Sequence, residues 1–174
     1  LTWAMPSPNM PTVDTAVVYP GQVLFEGTEV SEGRGTTRPF EIFGAPYFDT
    51  RLILENLESS CLMGSRLREV SFAPTFNKFA RKRCSGFQIH VTDRSKFRPY
   101  LASLAILSAI VKTHGAEFEL YEGPYEYVFN RRPIDVIIGD KKVSDAVMAG
   151  VSVKEIEGSW QNDLNRFIRD RAQF

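Results

Sequence analysis

"FQIHVTDRSKFRPYLASLAILSAIVKTHG" runs from Phe87 to Gly115 and joins two different periodicities. In its first part Phe87, Ile89 and Val91 alternate with Gln88, His90 and Thr92, the period-two pattern of a strand with one apolar face. Arg98-Pro99 then opens a helix that runs to about Thr113, since proline is well placed in a first helical turn, and Gly115 follows its end. Leu101, Leu104, Ile106, Leu107, Ile110 and Val111 cover most of that helix's circumference, which predicts a helix buried on all sides. A strand feeding a buried helix, with no regular strand–helix–strand rhythm elsewhere, points to an α+β fold: a small mixed sheet with helices packed on it.

Working outward, the C-terminus carries the clearest further signal. Ser152-Val153-Lys154-Glu155 reads as a capping box. Val153, Ile156, Trp160, Leu164, Phe167 and Ile168 follow at helical spacing, predicting an amphipathic helix that packs on the core. Asp49 is placed to cap a helix over 50–57, with Leu52, Ile53 and Leu57 on one side. Strands are expected over 40–48 and 69–76. Phe118 to Phe129 is aromatic and reads as a hairpin around Gly123-Pro124, packed on the core. Residues 13–25 are apolar but interrupted by Pro20-Gly21, and periodicity leaves two helical turns or two strands open. Three prolines in "LTWAMPSPNMPT" make residues 1–12 a linker or surface arm, leaving 13–174 as a single α+β domain.

The bulk numbers exclude some functions. With 21 basic and 21 acidic residues among 174 the net charge is zero, which argues against a nucleic-acid partner. The apolar run near 101–111 is too short to span a bilayer. Two histidines and two cysteines, Cys61 and Cys84, offer no metal-site spacing, so neither a metal nor a cofactor is expected. Cys84 precedes an apolar strand and reads as a small buried residue. The first residues lack an initiator methionine, which gives the chain the look of a piece of a longer or processed protein.

The densest polar chemistry lies in "SEGRGTTRPFE", Ser31 to Glu41. Gly33 and Gly35 allow left-handed backbone or close approach to a ligand. Arg34 and Arg38 offer forked donors for a carboxylate or phosphate, Thr36 and Thr37 add hydroxyls, and Glu32 and Glu41 are candidate acids. Two readings stand side by side: a ligand loop for an acidic sugar, or arginines paired with neighbouring glutamates to pin a turn. "HVTDR", His90 to Arg94, collects His90, Asp93 and Arg94 at a strand end, where binding sites often gather. Its plain alternative is a backbone-bonded histidine and an aspartate capping the next turn. Asn9, stiffened between prolines, is a further candidate, with an ordinary turn asparagine as its alternative.

Taken together, "PSPNMPTVDTAVVYPGQVLFEGTEVSEGRGTTRPFEIFGAPY" (6–47), "FAPTFNKFARKRCSGFQIHVTDRSKFRP" (72–99), "IDVIIGD" (134–140) and the final 25 residues resemble the second half of the NamZ-type exo-β-N-acetylmuramidases. The segment 57–68 departs from the pattern and is expected to be a variable loop, with Cys61 incidental. The resemblance implies the smaller second domain of a two-domain bacterial enzyme whose Rossmann-like first domain lies outside this chain. It implies removal of the terminal, non-reducing N-acetylmuramic acid (MurNAc) from β-1,4-linked peptidoglycan fragments in an inter-domain cleft, by an exported protein of cell-wall turnover. Glu32 and Glu41 are then the candidate carboxylates near the sugar, with the principal acid expected in the first domain. Asn9, Arg34, Thr36, Thr37, Arg38, His90, Asp93 and Arg94 are the expected substrate-binding residues. The alternative is a non-catalytic sugar- or phosphosugar-binding module.

Overall fold

The computed structural model describes residues 2–174, and Leu1 of the arm lies outside them. Residues 2–12 hold turns but no helix or strand; the Trp3 indole donates to the Met10 carbonyl. Thr12 then starts helix α1, Val13–Gln22, with extended backbone and a hydroxyl that accepts from Thr15 N–H. The ambiguous apolar stretch is thus helical, because Pro20 falls in the last turn, where a missing N–H removes only one bond. The chain tightens there into a 3₁₀ turn over Val23–Gly27.

Strand β1, Ile42–Ala45, is shorter than the expected 40–48 stretch. Phe40 has a φ of +63°, which breaks the extended run before Ile42. Helix α2, Thr50–Asn56, is capped by Asp49, whose carboxylate accepts from Leu52 N–H. Only Ile53 of its apolar residues is fully buried. Strand β2, Ser65–Phe72, begins four residues before the expected start at 69 and also ends four before the expected 76. The expected variable loop over 57–68 therefore supplies half of a strand, and its Cys61 is buried in the core. Strand β3, Cys84–Val91, lies between the other two, antiparallel to both, in the order β1-β3-β2.

Helix α3, Pro99–His114, is buried along nearly its whole length, as its all-round apolar surface requires. It packs beside α1, where Gln22 donates to Ser103 at 2.8 Å, and against α2. Phe25, Phe43 and Phe87 form an aromatic run through the core, with Phe25 and Phe43 stacked at 5.1 Å. Helices α4, Pro133–Ile138, and α5, Lys141–Met148, close the far side. They are clamped by Arg132, which donates to Asp135 at 2.7 and 2.9 Å and to Asp145 at 2.6 Å.

The fold departs from three further expectations. The aromatic hairpin over 118–129 does not form: there are only isolated bridges, Thr28 with Leu120 and Tyr125 with Val128, and Tyr127 and Phe129 are 92% and 78% exposed. Gly123 and Pro124 interrupt the run before a ladder can extend. The Ser152 side chain does not cap helix α6, Val153–Arg171. Glu58, 95 residues earlier in the chain than Val153, accepts from Val153 N–H at 2.8 Å and from the Ser152 hydroxyl. Finally, α6 packs on the core only through its first half. Val153 and Ile156 are buried, whereas Leu164, Phe167 and Ile168 stay substantially exposed.

Among the described residues both cysteines are free and buried, and no helix is long and apolar enough to cross a membrane. Burial pushes the Cys84 thiol up to about 11, so it stays protonated near neutral pH.

Candidate functional site

The 31–41 loop is held by its own backbone and by the loop before β3. Gly33 and Gly35 have φ of +79° and +80°, and a side-chain carbon at Gly35 would sit 2.7 Å from the Phe76 carbonyl oxygen. The Thr36 hydroxyl donates to the Gly33 carbonyl at 2.6 Å and accepts from Arg38 N–H. Thr36 therefore shapes the turn, and Thr37 stands exposed beside it. This short circuit places Arg34 and Glu32 on one side and Arg38 and Glu41 on the other, in two separate recesses.

The first recess, about 540 Å³, is built around Glu32. Glu32 is only 2% exposed, and both of its oxygens are taken. Arg34 Nε lies 3.1 Å from Oε1, and Lys78 Nζ lies 2.8 Å from Oε2. Lys78 also donates to the carbonyls of Phe25 and Val30, so one ammonium ties the loop before β3 to three points along residues 25–32. Arg34 is doubly engaged, since it also pairs with Glu26, and it lies over the Phe40 ring at 5.1 Å. Burial works against its charge, but the bond and the charge of Glu26, with Glu32 behind, outweigh that and hold its proton more firmly than usual. Tyr125 donates to the other Glu26 oxygen at 3.1 Å; burial first, then Glu26, pushes its phenol well above the ordinary range. Lys78 had no local signal in the sequence, because its partner lies 46 residues away; Tyr125 stood out within the aromatic run, but its bond to Glu26, 99 residues away, did not.

The second recess, about 240 Å³, gathers Arg38, Glu41, Gln88 and His90 beside the start of α1. Glu41 is 4% exposed. Its Oε1 accepts from the Thr15 hydroxyl at 2.7 Å and the Thr12 hydroxyl at 3.3 Å, so the helix cap also serves the carboxylate. Its Oε2 accepts from Arg38 Nη1 at 3.2 Å. Arg38 is 46% exposed and makes that one side-chain bond, leaving the rest of its guanidinium open to the recess. His90, across the opening, accepts at Nε2 from Arg68 Nε at 3.3 Å.

The remaining sequence candidates lie apart. Asp93 caps the turn after β3: its carboxylate accepts from the Ser95 hydroxyl at 2.6 Å and from Ser95 N–H, and it pairs with Lys96 at 3.1 Å. The Ser95 hydroxyl bond, then Lys96, holds its carboxyl down at about 2. Arg94 pairs with Asp14 at 2.7 Å, both well exposed, at the rim of the second recess. Asn9 sits in a turn where its N–H donates to the Ser7 hydroxyl, and it lines neither recess. A larger, more apolar cavity of about 580 Å³ lies between Tyr100 and the first half of α6 and shares no lining residue with either recess. No cluster of metal-ligating side chains occurs among the described residues.

Residues 17–174, all of the two-recess architecture except the arm and the first turn of α1, match the family described as exo-beta-N-acetylmuramidase NamZ, C-terminal. The chain belongs to that family. It is 37% identical over its whole length to the peptidoglycan beta-N-acetylmuramidase NamZ of Bacillus subtilis, and spans 40% of that protein. Two solved structures of DUF1343 family proteins from Bacteroides fragilis share the fold, with TM-scores of 0.79 and 0.64 at 20% and 24% identity. The chain is covered to 97% in both cases, and spans 44% and 42% of those proteins. This NamZ C-terminal domain thus corresponds to less than half of its longer relatives.

Proposed function

We propose that this domain forms one wall of the substrate cleft of an exo-β-N-acetylmuramidase, an exported enzyme that releases terminal non-reducing MurNAc from β-1,4-linked peptidoglycan fragments. The other wall comes from a first domain, Rossmann-like by the family resemblance. The kinship to the Bacillus subtilis enzyme supports the reaction class. The observation that carries the site is the contrast in Arg38, which keeps free guanidinium donors at an open recess, whereas Arg34 is spent on Glu26 and Glu32. MurNAc differs from its neighbour sugar by a lactyl carboxylate, and a guanidinium with vacant N–H groups is the natural partner for it.

Neither buried glutamate of the wall is offered as the proton donor. Glu32 has both oxygens on cations, and Glu41 is held by two hydroxyls and Arg38. They also line different recesses, so they do not flank one glycosidic bond as a carboxylate pair must. In this reading they fix the arginines, and the acid comes from the first domain. The same arrangement suits a module that only binds sugar or phosphosugar, and one experiment separates the two. In the complete enzyme carrying this domain, Arg38→Ala is expected to lower kcat/KM for a chromogenic MurNAc glycoside about ten-fold or more, the value of a lost charged hydrogen bond. Unchanged kcat/KM overturns the assignment, and a complete enzyme with no glycosidase activity leaves the binding module standing.

A further inference from the structure

The outer face of the sheet carries two arginines that no carboxylate answers. Arg66 and Arg68 stand two apart on β2 and so point to the same side; opposite them on β3 are His90 and Gln88. Arg34, Arg38, Arg94, Arg98 and Arg132 each pair with an acid. Among the described residues Arg66 bonds only to the Ser65 carbonyl, and Arg68 only to Gln88 Oε1 at 2.5 Å and His90 Nε2 at 3.3 Å. The bond from Arg68 engages His90 Nε2 as an acceptor and leaves Nδ1 as the ring's other polar atom. What remains unengaged on Arg66 and Arg68 is all donor. His90 also lines the Arg38 recess, so the donor face and the recess are continuous.

We propose that Arg66, Arg68 and His90 form a second anion subsite beside Arg38, taking a phosphate carried by the muramyl sugar held there. A planar carboxylate is satisfied by one guanidinium fork, while a phosphomonoester presents three charged oxygens that call for donors from several directions. Arginines on an edge strand also deter strand pairing. That duty alone would leave ligand affinity untouched.

The proposal rests on the muramyl reading of the Arg38 recess, and the test separates the two. The complete enzyme carrying this domain is titrated calorimetrically and by NMR with MurNAc, MurNAc carrying a 6-phosphate, and inorganic phosphate. The phosphorylated sugar is expected to bind about ten-fold or more tightly than MurNAc. The Arg66→Gln/Arg68→Gln variant is expected to lose that preference while keeping MurNAc affinity, and Arg38→Ala to weaken both sugars. Equal affinity for the two sugars, or a preference that survives in the double variant, overturns the subsite. If neither sugar binds but inorganic phosphate shifts the His90 resonances of the wild type and not of the double variant, the subsite stands and the muramyl reading falls. Should the double variant melt early, Arg68→Lys is the control, expected to retain part of the preference.

Discussion

The two recesses flanking the 31–41 loop use the same residue types to opposite ends. Around Glu32 the buried charges answer one another: two cations on one carboxylate, two carboxylates on one arginine, and a lysine that also gathers two carbonyls, with Glu29 at the recess alone unpaired among the described residues. Around Glu41 the carboxylate is satisfied mainly by hydroxyls, so Arg38 keeps donors to spare. A closed network stiffens a loop; a network one partner short is a place where a ligand completes the bonding. The same eleven residues thus brace themselves on one side and present a donor on the other.

The largest effect is expected on the closed side. Lys78→Met leaves Glu32 buried with Arg34 as its one cation and frees two carbonyls, which should cost about 3 kcal/mol. The urea midpoint should fall with the slope unchanged. A loss well under 1 kcal/mol would erase the distinction between brace and binding wall. On the open side the expectation inverts. Arg38→Ala, at a half-exposed single ion pair, should change stability by less than about 1 kcal/mol while kcat/KM drops about ten-fold. If both variants act mainly on stability, the second recess is also structural.

Thr15→Val sits between these cases. Its hydroxyl is the 2.7 Å donor to Glu41, in a residue with no exposure. Removing it leaves that oxygen to the longer Thr12 bond, a cost of about 1–2 kcal/mol. With Glu41 less firmly held, Arg38 should lose definition, so KM should rise while kcat holds. A stability loss without a KM change would show that Arg38 does not depend on its buried partner.

The sequence made some of this legible and hid the rest for identifiable reasons. The strand read over 87–92, which forms over Cys84–Val91, and the helix from 99 were readable because each carries its own period over enough residues. The 31–41 loop was readable as concentrated chemistry, but not its division into two recesses, which depends on backbone reversal at Gly33 and Gly35. Lys78 was invisible, since its partner is 46 residues away and its neighbours show no pattern. Helix α5 was missed because eight residues with Val143 and Val147 as the inward pair give periodicity little to work with. The failed capping box at Ser152 has a similar cause: Glu58, 95 residues distant from Val153, supplies the cap that the local sequence suggested Ser152 would make. Local rules named the needs of each element, and long-range partners decided how they were met.

The smallest expected effect concerns Asp93, which sequence chemistry grouped with the ligand residues and the fold places on a turn. Its carboxyl is depressed to about 2 by the Ser95 hydroxyl and Lys96. A carboxyl lowered from its unfolded value of about 3.9 contributes stability above that pH and loses it as the pH falls through the folded value. The contribution should therefore be complete at neutral pH and fade between about 4 and 2. Because the group is solvent-accessible, the change should be slight, visible as a shallower acid limb when Asp93→Asn is compared with the wild type by thermal melts across that window. Sugar affinity at neutral pH should be unaltered, because the residue lines neither recess. A variant that melts like the wild type in acid but binds MurNAc more weakly would move Asp93 from the turn to the site, and the open side of the loop would then extend past His90 to the end of β3.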